Sequence, residues 1–155
     1  MVGPDPSIAG GNGAAFKPWD EAEDAMLVAG TDIIEIGRVE RVARLYGQRF
    51  IQRVYTEQEA AYCRGRAPQL ASRFAAKEAV MKALGTGVRG VRWRDVEVVR
   101  QRGRAPTIRL HGTALKRAER LGIDHLAVAL SHSEQYAVAF VVADSAEGNL
   151  VPSRG

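Results

Sequence analysis

Apolar positions along this chain fall into stretches of two periods, separated by glycine, proline and hydroxyl residues. Residues 26–34, Met-Leu-Val-Ala-Gly-Thr-Asp-Ile-Ile, read as a largely buried strand with one acid, Asp32, near its end. Beyond it, Ile36, Val39, Val42 and Leu45 recur every three residues, which predicts a helix over 35–46 with one apolar side, ended by Gly47. Thr56 followed by Glu59 is a capping box, so a short helix opens there. Pro68 suits the first turn of a further helix reaching residue 84, where Gly85-Thr86-Gly87 stops it and begins a loop. Strands are expected at 95–100 and 107–111, joined by a turn at Gly103-Arg104-Ala105-Pro106. A helix over 112–121 ends at Gly122, and strands follow at 125–131 and 136–143. The expected architecture is one α+β domain over residues 26–143, with five strands and no internal repeat.

The ends differ from this core. Gly10-Gly11-Asn12-Gly13, with Pro4, Pro6 and Pro18, predicts a flexible extension over 1–25; residues 144–155 read as a loose polar tail. Met26 immediately precedes the first strand, so an internal translation start, a native extension and an added leader all stay open. The opening lacks a basic region followed by an apolar run, which argues against a secretory signal. No stretch has the length of an apolar membrane span. The single Cys63 excludes an internal disulfide and suits the reducing cytoplasm; with three histidines it also disfavours structural zinc. The net charge of +4 hides an asymmetry: Lys17 faces five acids in residues 1–26, a local −4, so the remainder carries +8. A body this basic suits an anionic partner, whether nucleic acid, phosphorylated small molecule or acidic protein.

Three segments could carry chemistry. Asp32, at the end of a strand, suits either a metal ligand or a cap on the helix that follows. Ala71-Ser72-Arg73-Phe74-Ala75-Ala76-Lys77-Glu78-Ala79-Val80-Met81-Lys82-Ala83-Leu84 places Arg73 and Lys77 on one helical face and Glu78 and Lys82 on another, with small residues between. That pattern fits surface ion pairs, and it also fits a phosphate-rich ligand beside a cation. Leu130-Ser131-His132-Ser133 offers donors to phosphate; as a nucleophile and base it is poor, because neighbours on a strand point to opposite faces. Arginines at 38, 41, 44, 49 and 53 form a basic stretch that fits an acidic protein better than nucleic acid, given the scarcity of aromatic residues. A solvated charged face is the plain alternative. Gly85-Thr86-Gly87 lacks the Lys-Ser/Thr of a phosphate-binding P-loop, and no dinucleotide fingerprint is present.

Together these segments resemble the holo-acyl-carrier-protein synthase family. Gly30-Thr31-Asp32-Ile33-Ile34-Glu35-Ile36 looks like its first motif, Arg73 to Ala79 with Lys82 and Gly85-Thr86-Gly87 its second, and Leu130 to Ser133 with Tyr136-Ala137 its third. Ala29 departs from the glycine common there, and an extension of 25 residues is unusual. The resemblance implies a 4′-phosphopantetheinyl transferase fold, a small antiparallel sheet packed with helices. It implies transfer of 4′-phosphopantetheine from coenzyme A to a serine of apo-acyl carrier protein. Asp32 and Glu78 would bind Mg2+, and Lys82 would sit beside the phosphate under attack, these three forming the catalytic set. Arg73, Lys77, Lys82, Gly85, Ser131, His132 and Ser133 would contact coenzyme A, while Arg38, Arg49 and Arg53 would dock the carrier. Glu78, His132 and a water beside the metal are the candidate bases, with Glu78 acting through water preferred. Arg89 and Arg92, in the loop after residue 87, suit either substrate. The family further implies a cytoplasmic homotrimer with sites between subunits, and neither nucleic acid nor membrane as a partner. The rival readings are the same chemistry on a polyketide or other secondary-metabolism carrier, and a non-catalytic module for acidic proteins.

Overall fold

The computed structural model describes residues 26–145; the expectations for residues 1–25 and for the tail beyond 145 lie outside the described residues. The chain runs β1 (Met26–Glu35), α1 (Ile36–Tyr46), α2 (Gln48–Val54), α3 (Glu57–Cys63), α4 (Ala67–Ala83), α5 (Gly87–Gly90), a 3-10 turn (Trp93–Asp95), β2 (Val96–Val99), β3 (Thr107–Leu110), α6 (Gly112–Arg120), β4 (Ile123–His132) and β5 (Tyr136–Ser145). Strands form two antiparallel sheets, one ordered β1-β5-β4 and the other pairing β2 with β3. All five expected strands and the α+β class are present.

Helix α4 is the axis of the domain. Its alanines at 71, 75, 76 and 79 are fully buried, as are Val80 and, nearly so, Leu70 and Met81. A helix buried on several sides needs small residues, since neighbouring backbones must approach it closely. The closest approach is by β1. A Cβ added at Gly30 would lie 1.9 Å from the Ala79 carbonyl oxygen, so only glycine allows this strand to rest on the helix. No described element covers the other side of the sheet. Ile33 is 63% exposed and Phe140 48%, and Leu27 and Tyr136 are exposed with them. Thr31 pairs with Phe140 and Ile33 with Val138, so this apolar surface crosses both strands.

Local chemistry explains the shorter elements. Thr56 and Glu59 form the capping box at α3 that their spacing predicts. Arg64, just past α3, takes a left-handed conformation with φ 50°. Several boundaries differ from expectation. Residues 48–54, for which the apolar pattern predicts no element, form α2; Gly47, at φ 52°, ends α1 as expected and is also the residue from which α2 starts. The loop expected after Gly87 begins with one helical turn. Glu35 belongs to β1, and β5 continues to Ser145. Leu45, expected on the apolar side of α1, is 77% exposed, whereas Ile36 and Val39 are buried.

Replacing Gly30 with Ala should lift β1 from α4 and destabilise the fold by about 1–3 kcal/mol, the usual cost of overpacking. Urea unfolding measures this, and wild-type stability would show that the strand does not lie so close.

Candidate functional site

Two clusters of functional side chains flank α4. The first joins β1 to the middle of that helix. Asp32 lies on the β1 face that turns towards α4, and Lys82 Nζ donates to its Oδ1 at 3.0 Å and to the Thr31 carbonyl at 2.9 Å. Asp32 is therefore not a helix cap: Glu35 occupies that position, without a side-chain cap bond. Nor does Lys82 pair with Glu78, as their spacing alone would allow; its ion pair is with Asp32. Asp32 and Glu78 share a cleft of about 340 Å³ with Arg38, Val42, Phe50 and Phe74.

Glu78 titrates above the ordinary carboxyl range. Burial is the main cause, and the adjacent Asp32 adds repulsion and a hydrogen bond, while Lys82 and Arg38 pull the other way. Two carboxyls held this close favour a cation between them. Their hard oxygens suit a divalent ion such as magnesium. Among the described residues no group of three or more acidic, histidine or cysteine side chains could hold a metal. A metal here would draw its other ligands from phosphate and water.

The second cluster sits on another face of α4. Arg73, Ser131 and His132 line a pocket of about 210 Å³ with Tyr62, Gln69 and Arg100. Arg73 is only 3% exposed and lies over the Tyr62 ring, 4.2 Å from its centroid. Its Nη1 donates to the Gln69 carbonyl at 3.3 Å, but its Nε has no hydrogen-bond partner among the described residues. An unsatisfied buried guanidinium nitrogen is costly, and a phosphate oxygen would satisfy it. Ser133 stands apart in the β4–β5 turn, where its Oγ accepts from the backbone N–H groups of Gln135 and Tyr136.

Lys77 does not join Arg73 in this pocket. It is fully buried, and its Nζ donates to Glu59 Oε2 at 2.8 Å and to the carbonyls of Trp93 and Val96. All three ammonium protons are thus used inside the core. Burial pulls its pKa down, and Glu59 opposes that pull. Glu59 accepts also from the N–H groups of Thr56 and Val98, so the pair ties α3, α4 and β2 together. The sequence carried a sign of this: Glu59 is part of the capping box, and its reach to Lys77 is a tertiary contact that spacing does not show.

The remaining expected residues lie at the periphery. Gly85 follows α4 with φ 69°, in the turn that ends the helix. Arg38 borders the carboxylate cleft; Arg49 and Arg53 are exposed on α2, which continues the surface from α1. Phe74 stacks on Trp93 with ring centroids 4.6 Å apart, and Phe50 lies 6.4 Å from Phe74. This aromatic row, which the sequence pattern does not reveal, backs the carboxylate cleft. No helix among the described residues is long and apolar enough to cross a membrane.

Residues 29–141 match the family model described as the 4′-phosphopantetheinyl transferase superfamily. A holo-[acyl-carrier-protein] synthase of Herpetosiphon aurantiacus is 50% identical over 76% of this chain and 98% of its own length. One from Gloeobacter violaceus is 52% identical over 72% of this chain and 88% of its own. Among solved structures, the Neisseria meningitidis synthase superposes with a TM-score of 0.69 at 35% identity, covering 75% of this chain and 96% of that one. The Helicobacter pylori synthase in complex with coenzyme A gives 0.68 at 28% identity, covering 74% and 98%.

Replacing Lys77 with Met should cost about 3–5 kcal/mol, because Glu59 is left buried and unpaired. The double variant Lys77→Met, Glu59→Gln should recover part of that loss in urea unfolding; a double variant as unstable as the sum of its singles would break the coupling.

Proposed function

This chain belongs to the holo-acyl-carrier-protein synthase family of 4′-phosphopantetheinyl transferases, and from that premise we propose how its own residues carry the reaction. The enzyme transfers 4′-phosphopantetheine from coenzyme A to a serine of apo-acyl carrier protein, releasing adenosine 3′,5′-bisphosphate. The observation that most supports our assignment of residues is the meeting of Asp32, Glu78 and Lys82 across the β1–α4 contact.

Asp32 and Glu78 would hold the magnesium ion. When bound, that ion neutralises the pyrophosphate and stabilises charge on the phosphoryl group in transit. Lys82 is 54% exposed at its side chain, and so its ammonium reaches from Asp32 towards a phosphate oxygen. The carrier serine Oγ forms a bond to the β-phosphorus while the bond from that phosphorus to the bridging oxygen breaks. Glu78 faces the cleft and receives the serine proton through a water. His132 lines the other pocket with Arg73 and Ser131, and there these side chains bind coenzyme A phosphate. Lys77 acts at a distance, by fixing α4 and hence its neighbour Glu78.

Arg38, Arg49 and Arg53 dock the acidic carrier. Val42 in the cleft and the exposed Leu45 give the same surface apolar contacts. The open sheet around Ile33 and Phe140 supports the homotrimer, with each site shared between neighbours. Arg73 and Glu78 lie on different faces of α4, so a second chain is a natural way to complete a site from both clusters. The cytoplasm, which holds free coenzyme A and keeps Cys63 reduced, is the expected compartment.

Intact mass of apo-acyl carrier protein should rise by about 340 Da with coenzyme A and magnesium, the mass of the group moved by this metal-assisted transfer. Asp32→Ala and Glu78→Ala should abolish the gain while the fold survives, and full activity in either would remove it from the metal site. Replacing Phe140 with Lys should convert a trimer to monomers in light scattering and depress transfer. An unchanged oligomer would place the subunit contact elsewhere.

A further inference from the structure

A groove of about 730 Å³ runs between α2, α5, the 3-10 turn and the start of α6. Arg53, Arg89, Arg92 and Arg94 all line it, together with Trp93 and Asp95. All four arginines are exposed. None makes an ion pair among the described residues. Among the described residues the only carboxylate in the lining is Asp95, and its Oδ2 is committed to the N–H and hydroxyl of Thr113. Four guanidinium groups thus face one carboxylate that already serves to anchor α6. Such a concentration of like charge disfavours the folded chain by self-repulsion unless a partner uses it.

The groove is built on rigid parts. Trp93 stacks on Phe74, whose surroundings form the carboxylate cleft, and the Trp93 carbonyl accepts from Lys77 in the core. Groove and cleft are therefore connected through one aromatic row. Arg53 belongs both to this groove and to the α2 surface assigned to the carrier. None of the groove residues lies on the three-stranded sheet, so a neighbouring subunit on that sheet need not cover them.

We propose that Arg89, Arg92 and Arg94 extend the carrier-docking surface, the groove receiving an acidic helix or loop of the carrier protein beside the segment that bears the reacting serine. This rests on the carrier-docking reading given above. The exposure of the arginines favours a protein over the phosphates of coenzyme A. A phosphate site draws a guanidinium into a pocket, as at Arg73, whereas charges on an open rim steer and align a macromolecule. Carboxylates spread over a helix surface match four separate guanidinium groups better than one compact pyrophosphate does.

The test compares the full-length double variant Arg89→Glu, Arg94→Glu with wild type, using coenzyme A and apo-acyl carrier protein. KM for the carrier should rise on the order of tenfold, with kcat and KM for coenzyme A unchanged. The dependence of kcat/KM on salt should flatten. Calorimetric titration with apo-acyl carrier protein should show the same weakening without any turnover. Unchanged carrier KM and Kd would overturn the inference, as would a rise confined to coenzyme A. Arg38→Glu serves as the parallel control. If it weakens carrier binding while the double variant does not, this groove alone is excluded. A wild-type chain that neither modifies nor binds the carrier would sink the docking reading as well.

Discussion

At Gly30 the β1 backbone rests on the Ala79 carbonyl with no space for a side chain. The meeting of Asp32, Glu78 and Lys82 depends on this contact. Asp32 follows two residues later on the same face of the strand, and Glu78 precedes Ala79 on the helix. Bringing those backbones together therefore brings the two carboxyls together. The alanines of α4 make the approach possible, and burial of the helix on several sides follows from it. Burial first, and then the adjacent Asp32, raise the affinity of Glu78 for its proton.

Close packing alone would leave α4 free to rotate or slide. The buried Lys77–Glu59 pair restrains it, because each charged atom is matched by a specific partner on α3, the 3-10 turn or β2. Buried ion pairs add little net stability relative to an apolar alternative, but breaking one is expensive, so they penalise misregistered packings. Glu97 extends the polar network beyond this pair. Burial favours its neutral form, yet hydrogen bonds from Thr56 and His111 and the charge of Arg109 outweigh that and hold its pKa low. One helix consequently carries three different environments within a dozen residues: Arg73 in a pocket with an unsatisfied nitrogen, Lys77 sealed in the core, and Glu78 with Lys82 at an open cleft.

The +8 body charge is distributed according to exposure. Buried or half-buried cations meet fixed partners, whereas the arginines of α1, α2 and the segment after α5 stand at the surface, where their field reaches outward. An acidic carrier approaching this side would be drawn towards the cleft. The sheet face around Ile33 and Phe140 is apolar instead.

Much of this was legible in the amino-acid sequence because it depends on short-range rules. The period of apolar residues located five strands and α4, and the capping box marked α3. The motifs around Asp32, Arg73 to Lys82 and Ser131 resembled the same family that the comparisons give. Spacing could not tell which partner a charged side chain would choose. Arg73 and Lys77 share a helical face by their separation of four, yet one ends in a pocket and the other in the core. Lys82 pairs with Asp32, fifty residues away, in preference to Glu78 one turn behind. Gly47 ends α1 as its position suggested, yet a second helix begins directly after it. In each case the outcome turns on burial and on groups distant along the chain. Only the folded arrangement could decide these points, since desolvation selects a charge's partner after packing has determined which groups are within reach.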